Sequence, residues 1–218
     1  MIGVERPRIA VAWTGASGLA YGVRLVEALL GSGTGVDLVV SPTVAATAAA
    51  ELDVSLADVV AGLRALGGSG ALREHAADDF ASPLASGSAA PAGMAVCPCS
   101  MGTLARIAAG TSETLLLRAA DVCLKERRPL VLVPRETPLA SHHLENMLRL
   151  SRNGAVILPA MPGFYHRPRT VADLVDFVVQ RVCDHLGVAV DLVPRWGTGP
   201  GGPGGAGGPA GGTGPEAV

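Results

Sequence analysis

Residues able to do chemistry are scattered along this chain, and charge type and spacing pick them out. Arg135 and Glu136 stand together just past a short apolar run, Pro129 to Pro134. A cation beside a carboxylate at such a point either holds an anion and relays a proton or forms a solvated turn. Arg118 and Lys125 lie seven residues apart in a helical stretch, about 10 Å by helix rise. They share their face with Leu115 and Val122. If that face packs, the cations need an anion; otherwise they are solvated. Arg181 falls on the stripe formed by Leu174, Val178, Val182 and His185. A guanidinium on a packed face requires a partner, so Arg181 is the strongest unaided candidate for an anionic ligand. Glu51 closes an alanine-rich helix, where its charge opposes the dipole. It is either a solvated helix end or a protonatable group kept for proton transfer.

The elements that position these residues follow from apolar runs and their punctuation. Ile9 to Trp13 reads as a strand, Thr14-Gly15-Ala16-Ser17-Gly18 as a glycine turn, and Leu19 to Leu30 as a helix. Strand, glycine turn and helix make an anion site or a tight turn, and Ser17 adds a hydroxyl. Val36 to Val40 is a second strand ending at Ser41, with Pro42 at the first turn of the helix that ends near Glu51. Ser55 to Leu66 is helical, Gly67 to Gly70 a flexible break, and Asp78 to Gly93 a long loop of the functional kind. Gly93 to Cys97 is the next strand; Pro98-Cys99-Ser100-Met101-Gly102-Thr103 then leads into a helix over 103–109. Two such turns suggest a nucleotide-like ligand across the sheet edge. Ser112 to Arg128 is helical and precedes the Pro129–Pro134 strand; a further helix stops at Asn153-Gly154. Ala155 to Leu158 is the last strand, and a proline-rich loop brings Tyr165 to its carboxyl end. Thr170 and Asp173 resemble a capping pair for the final helix. Strands alternating with helices predict an α/β fold, a Rossmann-like or flavodoxin-like three-layer sandwich with a mostly parallel sheet.

Composition narrows the function classes. A chain of 218 residues with net charge −2 and 3% aromatics has neither the charge nor the stacking platforms of a nucleic-acid binder. Eleven of the 29 glycines follow Trp196. The expected organisation is one domain over 1–196 and a disordered Gly/Pro-rich tail over 197–218. Cys97, Cys99, Cys123 and Cys183 sit in apolar settings, as expected of reduced thiols in a cytoplasmic protein. Cys97-Pro98-Cys99 has no second ligand pair at metal-binding spacing, and His142-His143 alone is weak, so no metal is expected. Arg6 and Arg8 before an apolar run imitate a signal peptide, but the run is better explained as strand and helix. No uncharged apolar stretch suggests a membrane span.

Longer motifs carry a resemblance. TGASG at 14–18, ASGS at 85–88, CPCSMGTL at 97–104, RAADVCLKERRPLVLVPRETPL at 118–139, HLENM at 143–147, PAMPGFYHRP at 159–168 and PRWG at 194–197 resemble the flavin prenyltransferases of the UbiX family. The resemblance implies a homododecamer that transfers a dimethylallyl group from dimethylallyl phosphate to reduced FMN, without metal. The product, prenylated FMN, is the cofactor of UbiD-type decarboxylases. It further implies that Gly15, Ala16, Ser17, Ser41, Ser100, Met101, Gly102, Thr103 and Arg135 hold FMN. Ser86, Arg118, Lys125, Tyr165 and Arg181 would bind the prenyl phosphate, some from a neighbouring subunit, with Lys125, Arg181 and Tyr165 neutralising the leaving phosphate. Glu136 would accept or relay the proton, assisted by Glu51 and Ser17, and Phe80 would cover the prenyl group. Trp13 has no assigned role. Rival expectations are a flavin-dependent cysteine decarboxylase, disfavoured by the absence of its PASANT-like turn and PxMN loop, and a non-catalytic FMN carrier.

Overall fold

A computed structural model describes residues 7–68 and 71–197. Arg6 and most of the glycine-rich tail, residues 198–218, lie outside the described residues. Among the described residues, six strands form one parallel sheet: β1 (Arg8–Trp13), β2 (Gly35–Val40), β3 (Leu72–His75), β4 (Gly93–Cys99), β5 (Leu130–Pro134) and β6 (Val156–Ile157). The described α-helices that connect or follow them are α1 (Leu19–Gly31), α2 (Val44–Glu51), α3 (Leu56–Gly67), α4 (Met101–Ala109), α5 (Leu115–Lys125), α6 (Ser141–Arg152) and α7 (Val171–Leu186). The spatial order β3-β2-β1-β4-β5-β6 reverses direction between β1 and β4. A crevice opens at such a switch point, outside the carboxyl ends of the strands.

The sheet is buried on both faces, and β1 shows why the layers differ. Ile9, Val11 and Trp13 point into a core with α1 and α7, while Ala10 and Ala12 point into the core built with α4 and α5. β1 thus presents bulky side chains to one layer and only alanines to the other. On the bulky side Trp13 is fully buried. A Cβ on Gly22 of α1 would stand 2.4 Å from the Cys97 carbonyl and 2.7 Å from Trp13 Nε1. The glycine therefore lets α1 lie directly over the tryptophan, which gives Trp13 its structural role.

Boundaries follow local chemistry. Thr114, rather than Ser112, starts α5, since its Oγ1 accepts the Leu117 amide at 3.4 Å. Ser100 caps α4, which starts at Met101, two residues before the expected start, and accepts from Thr103 N at 3.3 Å. Thr170 and Asp173 cap α7 reciprocally at 3.2 and 3.0 Å. β3 was not expected from the sequence. Its Leu-Arg-Glu-His run has a single aliphatic residue and lies on the sheet edge, where charge is favoured over apolar alternation.

Candidate functional site

The site begins at the switch point. Thr14 Oγ1 donates to the Pro98 carbonyl at 2.8 Å and accepts the Ser100 amide at 2.8 Å, pinning the turn after β1 to the turn after β4. The Gly15–Gly18 turn therefore stands beside the start of α4, where Ser100 Oγ also donates to Thr103 Oγ1 at 3.0 Å. Free first-turn amides of a helix favour an anion. A cavity of about 290 Å³ next to this helix start is bordered by Ser41, Thr43, Thr103 and Arg106, with Val39 and Leu117 among its apolar walls. Hydroxyls and a guanidinium beside apolar walls fit a phosphate-bearing aromatic ligand such as a flavin nucleotide.

Glu51 corrects an expectation. Although it ends α2, its carboxylate reaches the start of α1, accepting from Gly18 N at 3.0 Å and Leu19 N at 2.9 Å. The anion at the first glycine turn is thus the chain's own. Partial burial raises the Glu51 pKa, but the Ser17 hydroxyl, the amides of Leu19 and Gly18, and Arg135 outweigh that effect and hold it below its ordinary value. Far from being kept protonatable by the α2 dipole, Glu51 is held ionised by α1. Arg135 Nε donates to the Ser17 carbonyl at 3.1 Å, so Ser17, Glu51 and Arg135 converge. Glu136 is exposed, and its Oε1 accepts the Thr137 amide at 3.1 Å. With Arg135, Met147 and Met161 it borders a smaller cavity of about 90 Å³.

The expected phosphate-binding residues form two groups on opposite faces of the sheet. On the α5 side, Arg118 donates from Nε to the Ala85 carbonyl at 3.0 Å and from Nη1 to Asp121 at 2.8 Å. Ser86 Oγ lies 2.9 Å from Ser88 Oγ on the neighbouring 3-10 turns, Pro83–Ala85 and Gly87–Ala89. Lys125 pairs with Glu126 beside Gly87. On the α7 side, Tyr165 and Arg181 border a cavity of about 300 Å³ with Trp196 and Arg195. The rings of Tyr165 and Trp196 meet edge to face at 5.2 Å. Arg181 is not on the packed stripe, which runs through Val175, Val178, Val179, Val182 and Leu186. It is exposed and pairs with Asp184 at 2.6 Å. Arg195, joined to the same carboxylate at 2.7 Å, and Trp196 line that cavity without having been singled out from the sequence, where their one signal is PRWG. Phe80 is half exposed on the long loop.

Other candidates resolve simply. All four cysteines are free and buried, and burial raises the Cys99, Cys123 and Cys183 thiols to about 12. His142 and His143 pack ring against ring, with centroids 4.2 Å apart. Among the described residues, no helix is long and apolar enough to cross a membrane.

A family model described as Flavoprotein matches residues 4–183. The flavin prenyltransferase UbiX of Pseudomonas aeruginosa is 50% identical over 196 residues, covering 87% of this chain and 94% of that protein. The solved structure of AnUbiX (PadA1) in complex with FMN and dimethylallyl pyrophosphate is 43% identical. It superposes with a TM-score of 0.81 over 88% of this chain and 98% of that one. A dodecameric FMN-dependent Ubix-like decarboxylase from Escherichia coli O157:H7 is 45% identical, with a TM-score of 0.79 over 87% and 98% of the two chains. Solved decarboxylases, among them the FMN-dependent cysteine decarboxylase TvaF and the peptidyl-cysteine decarboxylase EpiD, match at 18% identity or less and share the fold alone.

Proposed function

The chain belongs to the Flavoprotein family and, within it, to the UbiX flavin prenyltransferases, and on that premise we propose that it moves a dimethylallyl group from dimethylallyl phosphate onto reduced FMN. The observation that carries this reading is the convergence of Ser17, Glu51 and Arg135 beside the Ser100–Thr103 turn at the β1–β4 switch point. Reduced flavin supplies the nucleophilic ring; the chain supplies binding, charge and a proton acceptor. Ser41, Ser100 to Thr103, the Gly15–Ser17 turn and Arg135 hold the flavin. Glu51 keeps that turn in place by occupying the amides of Gly18 and Leu19.

Ionisation of an allylic phosphate places charge on the leaving group, so cations fixed at that point lower the barrier. Ser86, Arg118 and Lys125 form one such group and Tyr165 with Arg181 another. Their location on opposite faces of one sheet supports a site completed between neighbouring subunits of a homo-oligomer, and the dodecameric relative supports that assembly. Glu136, exposed beside Arg135, is the proton acceptor that lets the new ring close. Prenylated FMN then passes to a UbiD-type decarboxylase. Four buried, unpaired thiols support a reducing, cytoplasmic setting.

The experiment is anaerobic incubation with reduced FMN and dimethylallyl phosphate, followed by mass analysis of the released flavin. The expected product is heavier by one five-carbon prenyl unit; unmodified FMN overturns the reading. Carbon dioxide released from a peptidyl cysteine would move the chain to the decarboxylases instead.

A further inference from the structure

Away from the switch point, a chain of polar side chains runs under the long β3–β4 connection. Asp37 of β2 is buried. It accepts from Arg8 Nε at 2.7 Å and Arg8 Nη2 at 3.0 Å, and its Oδ1 lies 2.9 Å from His75 Nε2. On the other side of the ring, His75 Nδ1 lies 2.9 Å from Ser82 Oγ, and Ser82 Oγ accepts the Leu84 amide at 3.3 Å. The two ends fix the direction of this chain for a neutral imidazole. A carboxylate only accepts, so Nε2 carries the proton; Nδ1 is then an acceptor, and the Ser82 hydroxyl must donate to it.

Ser82 is the residue from which the Pro83–Ala85 turn starts. That turn supplies the Ala85 carbonyl that holds Arg118, and Ser86 follows directly. The connection and the sheet edge border a cavity of about 390 Å³, lined by Arg8, Asp37, Arg73 and His75 on the sheet side and by Pro83, Leu84 and Ala89 to Ala92 of the connection. Leu84 anchors the turn in the core beside α5. On the cavity side close packing is absent, and there the hydrogen-bonded post from Asp37 through His75 to Ser82 adds the fixed contact.

We propose that His75 is a positioning residue for the donor-phosphate end of the site: the Arg8–Asp37–His75–Ser82 chain sets where Ser86 and Arg118 stand. The proposal rests on the transferase reading above, so its test has one readout that needs no catalysis. Full chains of wild type, His75→Ala, His75→Gln and Ser82→Ala are compared. Glutamine presents an N–H to Asp37 and a carbonyl to Ser82 and so rebuilds the post; alanine does not. Amide hydrogen exchange without ligand reads the turn directly. Exchange at Leu84, Ala85 and Ser86 should be about tenfold faster in His75→Ala, equivalent to about 1.4 kcal/mol and within the range for a lost buried hydrogen bond. His75→Gln should stay within about threefold of wild type on the same scale.

In anaerobic transfer assays, KM for dimethylallyl phosphate should rise about tenfold in His75→Ala, with KM for reduced FMN unchanged and recovery in His75→Gln. Ser82→Ala leaves the Arg8–Asp37–His75 contacts intact and should reproduce the donor defect, which carries the test if His75→Ala does not fold. Unchanged exchange in the turn, an equal rise in both KM values, or no difference between alanine and glutamine overturns the positioning role. A wild-type chain that leaves FMN unmodified overturns the transferase reading, and the proposal with it, whatever the exchange data show.

Discussion

Glu51→Gln separates the two roles a carboxylate at this place could have. Glu51 accepts the Gly18 and Leu19 amides at 3.0 and 2.9 Å. Glutamine keeps one acceptor oxygen and turns an N–H₂ towards amides that also donate. Charged hydrogen bonds contribute about 1.5–3 kcal/mol each, but Glu51 is an exposed residue, so solvent screening reduces the net loss to about 1 kcal/mol. For a chain of this size that is about 2–4 °C in Tm. The pH dependence gives the sharper test. The folded pKa lies below the ordinary 4.5, outweighing the opposing effect of burial through Ser17, Leu19, Gly18 and Arg135. Between the two pKa values the unfolded chain binds more protons, so stability rises with pH there. The contribution is fully present above the unfolded pKa and is lost as pH falls through the folded one. Thermal melts followed by circular dichroism should therefore show a gap between wild type and Glu51→Gln at pH 7 that closes as acidification takes the pH below the ordinary glutamate pKa and through the lowered folded one. Equal melting temperatures at pH 7, or a gap of constant size down to low pH, would refute the assignment of Glu51 as the ionised cap of α1.

Arg181→Ala should raise KM for dimethylallyl phosphate by about 10- to 100-fold, as expected for a lost charged contact. Its Tm should move by less than about 1 °C because the Asp184 pair is exposed on the arginine side; steady-state kinetics and a melt decide both. Glu136→Gln should slow prenyl transfer by about 10²- to 10⁴-fold with flavin affinity unchanged, measured by single-turnover assay and fluorescence titration. Gly22→Ala should destabilise the fold by about 1–3 kcal/mol, since its Cβ would lie 2.4 Å from a backbone carbonyl; urea denaturation reads this, and unchanged stability would show that α1 is free to shift.

Much of this was legible because glycine, proline and apolar runs mark strand ends locally. TGASG and CPCSMGT announced the two turns of the switch point. Where the structure departs from the reading, the cause is tertiary. Val178 and Val182 belong to both possible stripes of α7; the flanks chosen from sequence, Leu174 and His185, rotate the packed face towards Arg181. In the fold the stripe includes Val175, Val179 and Leu186, and Arg181 faces outward. Glu51 looked like a poorly placed helix end because its partners, Gly18 and Leu19, are over thirty residues away. The strand β3 hid behind Arg73 and Glu74, which an edge tolerates, and His75 with it.

The β1–β4 contact has a further consequence for how the molecule comes together. It pairs Ile9 with Gly93, a long-range closure that forms only after the intervening chain has been made, whereas β1–β2 pairs far closer neighbours. Non-local closures are entropically late and slow. Thr14 bolts this late-closing seam shut through Pro98 and Ser100, and under the proposed function it is also the seam across which the flavin would lie. A ligand bound there holds the two halves of the sheet together, so occupancy adds to resistance against opening by mass action.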